Sequence, residues 1–258
     1  RFALAVAGLT ALSAISGRAD TIVSGSANFN FDPAAWASVA GGSPTPGFEA
    51  LTLNEIFNKA QSDARTGPQI LSDSLGGTPS PTGNVFEING PTVSNLSLRY
   101  SQPTDFAFTP GNLTGHTGAI GLGGVSRWSI NPLLGGGALL FGDFALSYDS
   151  SRLLVGGTGW QLKANIPPAG VAFDILNVTT SLVGNTLTIK GDLGVSFEVA
   201  NFLLSNPGDQ GRDMGDFTLT ATTSGNPVPE PATMGIASGL ACIAIALGRR
   251  ALKAHRQV

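Results

Sequence analysis

The segment VAFDILNVTTSLVGNTLTIKGDLGVSF, residues 171–197, holds two runs of alternating and β-branched residues on either side of Gly184-Asn185. Both loop residues tolerate positive φ, which a two-residue hairpin demands, so the segment reads as two long antiparallel strands. The same alternation recurs upstream at Leu96, Leu98 and Tyr100, at Phe144, Leu146 and Tyr148, and at Trp160, Leu162 and Ala164, which adds further strands. Downstream, FEVANFLL (197–204) breaks the pattern and reads as a short helix before a last strand over 216–223. GDFALSYD at Gly142, GDLGVSFE at Gly191 and GDFTLTAT at Gly215 look alike but are unevenly spaced, which disfavours a solenoid. Each reads as a turn glycine, a local Asp hydrogen bond and the start of a strand.

Nearer the N-terminus the pattern turns helical. Asp32 can cap a short helix that has Pro33 at its first position and ends at Gly41. Thr52 and Glu55 have the spacing of a capping box, with Leu53, Ile56, Phe57, Ala60 and Ala64 on one stripe and Gly67 beyond the end. Charged residues make up only 12% of the chain, about half the usual share, and the 35 glycines and 16 prolines favour turns between short strands over long surface helices. The expected architecture is mainly β, an antiparallel β-sandwich or jelly-roll-like body over 20–225 with one or two short N-terminal helices. With a single cysteine, Cys242, the body forms no internal disulfide.

The ends differ from the body. Residues 1–19, RFALAVAGLTALSAISGRA, run from Arg1 through an apolar stretch to small residues at Gly17 and Ala19, the pattern of a secretory signal peptide cut after Ala19. Residues 226–258 begin with Val228-Pro229-Glu230-Pro231 and continue with an apolar run, Ala232 to Leu247, ahead of Arg249, Arg250, Lys253 and Arg256. As a helix that run measures about 24 Å, and the stems of the arginine pair extend it toward a bilayer core of about 30 Å. It reads as a transmembrane helix with its basic end in the cytoplasm and the body outside.

The order of these parts, Val228-Pro229-Glu230-Pro231, an apolar helix, then the basic stop at Arg249 and Arg250 close to the terminus, resembles the PEP-CTERM sorting signal of Gram-negative bacteria. The resemblance covers about thirty residues and implies recognition by an exosortase, a membrane-embedded cysteine transpeptidase-like enzyme. It also implies an inner-membrane intermediate, delivery to the outer surface or the medium, and an association with extracellular polysaccharide, since many carriers belong to bacteria that make it. Fixed proline φ angles keep the motif extended and out of the helix, as a segment entering an enzyme's cleft requires.

For the body the sequence offers little chemistry. Eight basic residues stand against sixteen acidic ones between Asp20 and Gly225, which argues against nucleic acid as a partner. The glycines of 118–124 lack the Lys-Ser or Lys-Thr of a phosphate loop. His116 stands alone, without companions for a zinc site or a nucleophile motif, and no cofactor is implied. Asn206, Asp209, Asp213 and Asp216 give a Gly-rich loop with oxygen ligands for calcium, although solvated turn acids explain them equally simply. Trp36, Trp128, Trp160, Tyr100 and Tyr148 are the rings on which a sugar could stack, if they are not core. The reading is a non-catalytic structural or binding protein of the envelope or matrix. Its alternatives are a secreted polysaccharide hydrolase, which needs two facing carboxylates drawn from acids such as Asp143, Asp149 and Asp174, and an adhesin left uncut on its membrane anchor.

Overall fold

The computed structural model describes residues 19–225. The signal peptide, the sorting motif Val228–Pro231, the transmembrane helix and the arginine pair read from the sequence lie outside the described residues.

Twelve strands form: β1 (Asp20–Phe31), β2 (Leu51–Asn58), β3 (Asn84–Ile88), β4 (Ala107–Thr109), β5 (Asn112–Thr117), β6 (Ile120–Ile130), β7 (Ala138–Gly142), β8 (Ala145–Tyr148), β9 (Trp160–Ala164), β10 (Gly170–Val183), β11 (Thr186–Val195) and β12 (Asp213–Thr223). Eight of them run in the cyclic order β1-β3-β6-β8-β9-β10-β11-β12, every pairing is antiparallel, and β12 pairs with β1. The body is therefore a closed meander barrel rather than the expected sandwich or jelly roll. The physical reason lies in β1, which is long enough to pair with β3 on one side and β12 on the other, so closure leaves no sheet edge that needs a second layer to protect it. Bulges aid the curvature, for instance between Leu176 and Thr179 of β10, where Asn177 has φ +50°.

The remaining strands are insertions in the meander. The β4–β5 hairpin pairs with the start of β1. β2 and β7 flank the second half of β6, so β6 belongs to the barrel at Ile120–Gly123 and to a three-stranded sheet beyond it. The glycine run on β6 is explained by close packing. A Cβ on Gly121 would lie 1.8 Å from the Gln102 carbonyl oxygen, and one on Gly124 2.0 Å from the Phe86 ring.

The Gly184-Asn185 hairpin forms with Gly184 at φ +57°. Helix α1 (Pro33–Ala37) starts as read, with the Asp32 carboxylate accepting from Ala34 and Ala35, and Val199–Leu203 makes one π-helical turn.

Three readings are corrected. The stretch 52–64 is β2 followed by a single turn, α2 (Lys59–Ser62), because pairing with β6 satisfies its backbone and buries Glu55 and Phe57 together. The capping boxes fall instead at Asn58–Gln61 and at Thr66–Gln69, the latter opening α3 (Gly67–Ser72). Leu96, Leu98 and Tyr100 lie in a tight turn, not a strand, with Leu96 and Arg99 exchanging backbone bonds and Leu98 at φ +59°. Gly191 and Gly215 are not turn glycines; they sit inside β11 and β12 against the carbonyls of Leu176 and Asn30.

The barrel interior is filled. The Phe29 ring lies 4.6 Å from Phe86, 5.3 Å from Phe144 and 5.3 Å from Phe217. At the end where β1 leaves the barrel, Trp36 of α1 stacks on Trp128 of β6 at 4.0 Å. At the opposite end the body's two termini meet, with Ser224 N donating to Thr21 O (2.8 Å) and Thr21 N to Ser224 Oγ (3.0 Å).

Candidate functional site

A polar cavity of about 240 Å³ opens between α2 and the connection from β3 to β4, lined by Lys59, Asp63, Asn89, Thr92, Ser94 and Ser101, with Arg99 beneath them. Its geometry starts from the Leu96–Arg99 turn, which directs Arg99 inward. Arg99 is 1% exposed. Its Nε and Nη2 donate to the two Asp143 oxygens at 2.8 and 2.6 Å, and its Nη1 to the carbonyls of Ser62 and Arg65. Asp143 is held at φ +45° between β7 and β8, where Asn165 Nδ2 donates to its carbonyl (2.8 Å). Burial pushes the Asp143 carboxyl above its ordinary range, against the hydrogen bonds and charge of Arg99. The floor is thus a matched, desolvated ion pair whose donors are spent on the protein itself.

The wall above it is different in kind. Lys59 Nζ meets Asp63 Oδ2 at 2.7 Å in a partly exposed pair, and the stem of Lys59 passes Gly123, where a Cβ would come within 2.8 Å of it. Asn89 is fixed by donating Nδ2 to Gln102 O (2.8 Å). Thr92, Ser94 and Ser101 add hydroxyl groups to the lining, and Val93 and Leu96 add apolar surface. Beside Arg99 and Ser101, Tyr100 is 52% exposed. Of the five rings singled out from the sequence, Trp36, Trp128 and Trp160 are buried and Tyr148 is half-buried. Of the five, Tyr100 alone is exposed; it neighbours Arg99 and Ser101 in sequence but does not itself line the cavity.

The acids proposed for hydrolysis are not brought together as a free pair. Asp143 is bound to Arg99. Asp174 takes Arg152 Nε and Nη2 at 3.0 and 2.8 Å, and Arg152 Nη1 reaches Glu198 at 2.5 Å. Asp149 caps a 3-10 turn by accepting from Ser151 N (2.9 Å). Of the loop proposed for calcium, Asp209 is fully buried and its Oδ2 accepts from Ala40 N (2.7 Å) and Asn206 Nδ2 (3.0 Å). Arg212 Nη2 stands 2.8 Å from Oδ1 as a charge contact without hydrogen-bond alignment. Asp213 accepts from Gly215 N (2.9 Å) and Asp216 is an exposed residue of β12. Among the described residues, no three His, Cys, Asp or Glu side chains converge in a metal-holding group.

His116 has a structural place. Its Nε2 accepts from Tyr148 N at 2.8 Å, its ring packs 4.3 Å from that of Phe106, and Nδ1 is buried without a partner. Burial holds its pKa below the ordinary 6.5. Protonation would set an N–H against the Tyr148 N–H, so the unfolded chain binds this proton more readily than the folded one. The contribution of His116 to stability is whole above the unfolded pKa and is lost as pH falls from about 6.5 through the folded value. Urea midpoints measured between pH 7.5 and 5 should therefore decline, and His116→Gln should flatten that decline. An equal slope in both proteins would rule this contribution of His116 out.

Arg99, Lys59 and Asp63 were not singled out by sequence reasoning. One signal was available: Arg99 is the sole charged residue between Glu87 and Asp105, and an isolated charge in a neutral stretch invites a buried partner.

No protein-family model and no curated protein matches the chain. Among solved structures, the C-terminal domain of HtaA from Corynebacterium glutamicum is similar at a TM-score of 0.43 and 12% identity, over 80% of this chain and 99% of that one.

Proposed function

We propose that the chain is an exported, exosortase-sorted protein of the cell envelope or extracellular matrix, whose body binds polysaccharide through the polar cavity above Arg99 without cleaving it. The observation that carries this reading is a cavity offering Asn89, Thr92, Ser94 and Ser101 beside the Lys59–Asp63 pair, over the rigid Arg99–Asp143 floor. A sugar asks for such a site: fixed amide, hydroxyl and charged groups for its hydroxyls. The cavity is smaller than the roughly 300 Å³ at which drug-sized sites begin, which suits one unit of a longer chain lying across the surface. Binding without cleavage is favoured because Asp143 and Asp174 are each committed to an arginine.

The sorting half of the proposal rests on Val228–Pro231 and on Arg249 and Arg250. It is supported by the way the body closes on itself: β1–β12 pairing is complete by Thr223, so removal of residues beyond the Pro-Glu-Pro motif removes no strand of the barrel. Titration calorimetry of the exported protein with a panel of oligosaccharides tests the binding half. Thr92→Val, which removes one hydroxyl of the lining, should weaken binding about fivefold, the order of one lost hydrogen bond. No heat with any glycan would remove the proposal. Mass spectrometry of the mature C-terminus tests the sorting half, and a chain still ending at Val258 outside the cell would refute it.

A further inference from the structure

We propose that the cavity above Arg99 takes a neutral glycan and discriminates against acidic ones, a specificity that rests on the polysaccharide-binding reading above. The argument is one of charge already spent. Six of the body's eight lysines and arginines are ion-paired: Lys59, Arg65, Arg99, Arg127, Arg152 and Arg212. Among the described residues only Lys163 and Lys190 lack a carboxylate within 4.0 Å, and neither lines the cavity.

Inside the cavity the same holds at closer range. Arg99, the residue type best shaped to grip a carboxylate, faces Asp143 and two backbone carbonyls with its donors. Lys59 is left with two N–H donors and Asp63 with one free carboxylate oxygen. One donor group beside one acceptor group fits adjacent sugar hydroxyls, which accept from the ammonium and donate to the carboxylate. A uronate placed there would meet Asp63 directly and Asp143 beneath it, on a body with sixteen acids to eight bases. Like-charge juxtaposition of this kind is how binding sites exclude competitors.

The test is titration of the full exported protein with a neutral glucan hexasaccharide and a hexauronate of the same length, at low and high sodium chloride. The neutral chain should bind with a Kd that changes less than about twofold with salt, because no net charge is screened. Asp63→Asn and Lys59→Met, both at partly exposed positions, should each weaken it about tenfold, as expected for a lost hydrogen bond to a charged group. Tighter binding of the hexauronate, fading as salt rises, would overturn the specificity and leave the polysaccharide reading intact. Binding of neither chain by protein with native circular dichroism would overturn the reading itself.

Discussion

Asp143→Ala is expected to cost the barrel about 3–5 kcal/mol, the range for removing one partner of a buried ion pair. The loss is not the attraction between the two groups, which desolvation largely offsets. It is the state left behind: a guanidinium 1% exposed, still bonded to the Ser62 and Arg65 carbonyls, with its carboxylate partner gone. Alanine must also hold the φ of +45° that aspartate tolerates better. Urea unfolding monitored by tryptophan fluorescence would show a lower midpoint at an unchanged slope, and the thermal midpoint should fall by about 10 °C or more. Asp143→Asn keeps an acceptor and the backbone preference, so it should cost clearly less. A loss below about 1 kcal/mol for the alanine variant would mean that Arg99 is solvated through the cavity. The floor would then be soft, and the preorganisation on which the glycan proposal depends would be gone.

How much of this was legible beforehand depended on whether local signals were sufficient. The Gly184-Asn185 hairpin and the Asp32-Pro33 helix start were readable because their causes are local: loop φ requirements and a side-chain cap. Closure into a barrel was not, since it is decided by β1 meeting β12 across nearly the whole chain, and alternation looks the same in a sandwich as in a barrel. The segment at 52–58 shows the limit of periodicity. Leu53, Ile56 and Phe57 satisfy a helical stripe, while in the strand the bulge between Leu53 and Glu55 turns Leu51, Leu53 and Ile56 to one face and Glu55 and Phe57 to the other. The neighbouring β6 decides between them. The candidate site was half legible. Tyr100 was named as a ring that could meet sugar, but in a strand, whereas its exposure comes from the turn that buries Arg99. The acids looked available because their sequence neighbours are neutral; Asp143 and Asp174 find their arginines 44 and 22 residues away.

Phe29→Ala should cost a similar 3–5 kcal/mol, for a different reason and with a different consequence for function. Eight-stranded barrels divide into those packed solid and those that enclose one small ligand. Phe29 is fully buried among Phe86, Phe144 and Phe217, with Phe31 at 6.0 Å, so the interior belongs to the packed kind and leaves recognition to the outside. Truncation removes the ring's transfer energy and leaves a cavity that neighbouring strands, held in register on both sides of β1, cannot collapse to fill. The penalty then grows by about 24 cal/mol for each Å³ left empty. Phe202→Ala is the matched control, because that ring is 76% exposed on the π-helical turn and should change stability by no more than about 0.5 kcal/mol. Benzene added to Phe29→Ala should recover part of the loss, as apolar cavities stay dry and accept such a guest. If Phe29→Ala were instead as stable as the parent, the barrel would already contain unfilled space. An apolar ligand inside it, rather than a sugar in the cavity above Arg99, would become the function to pursue.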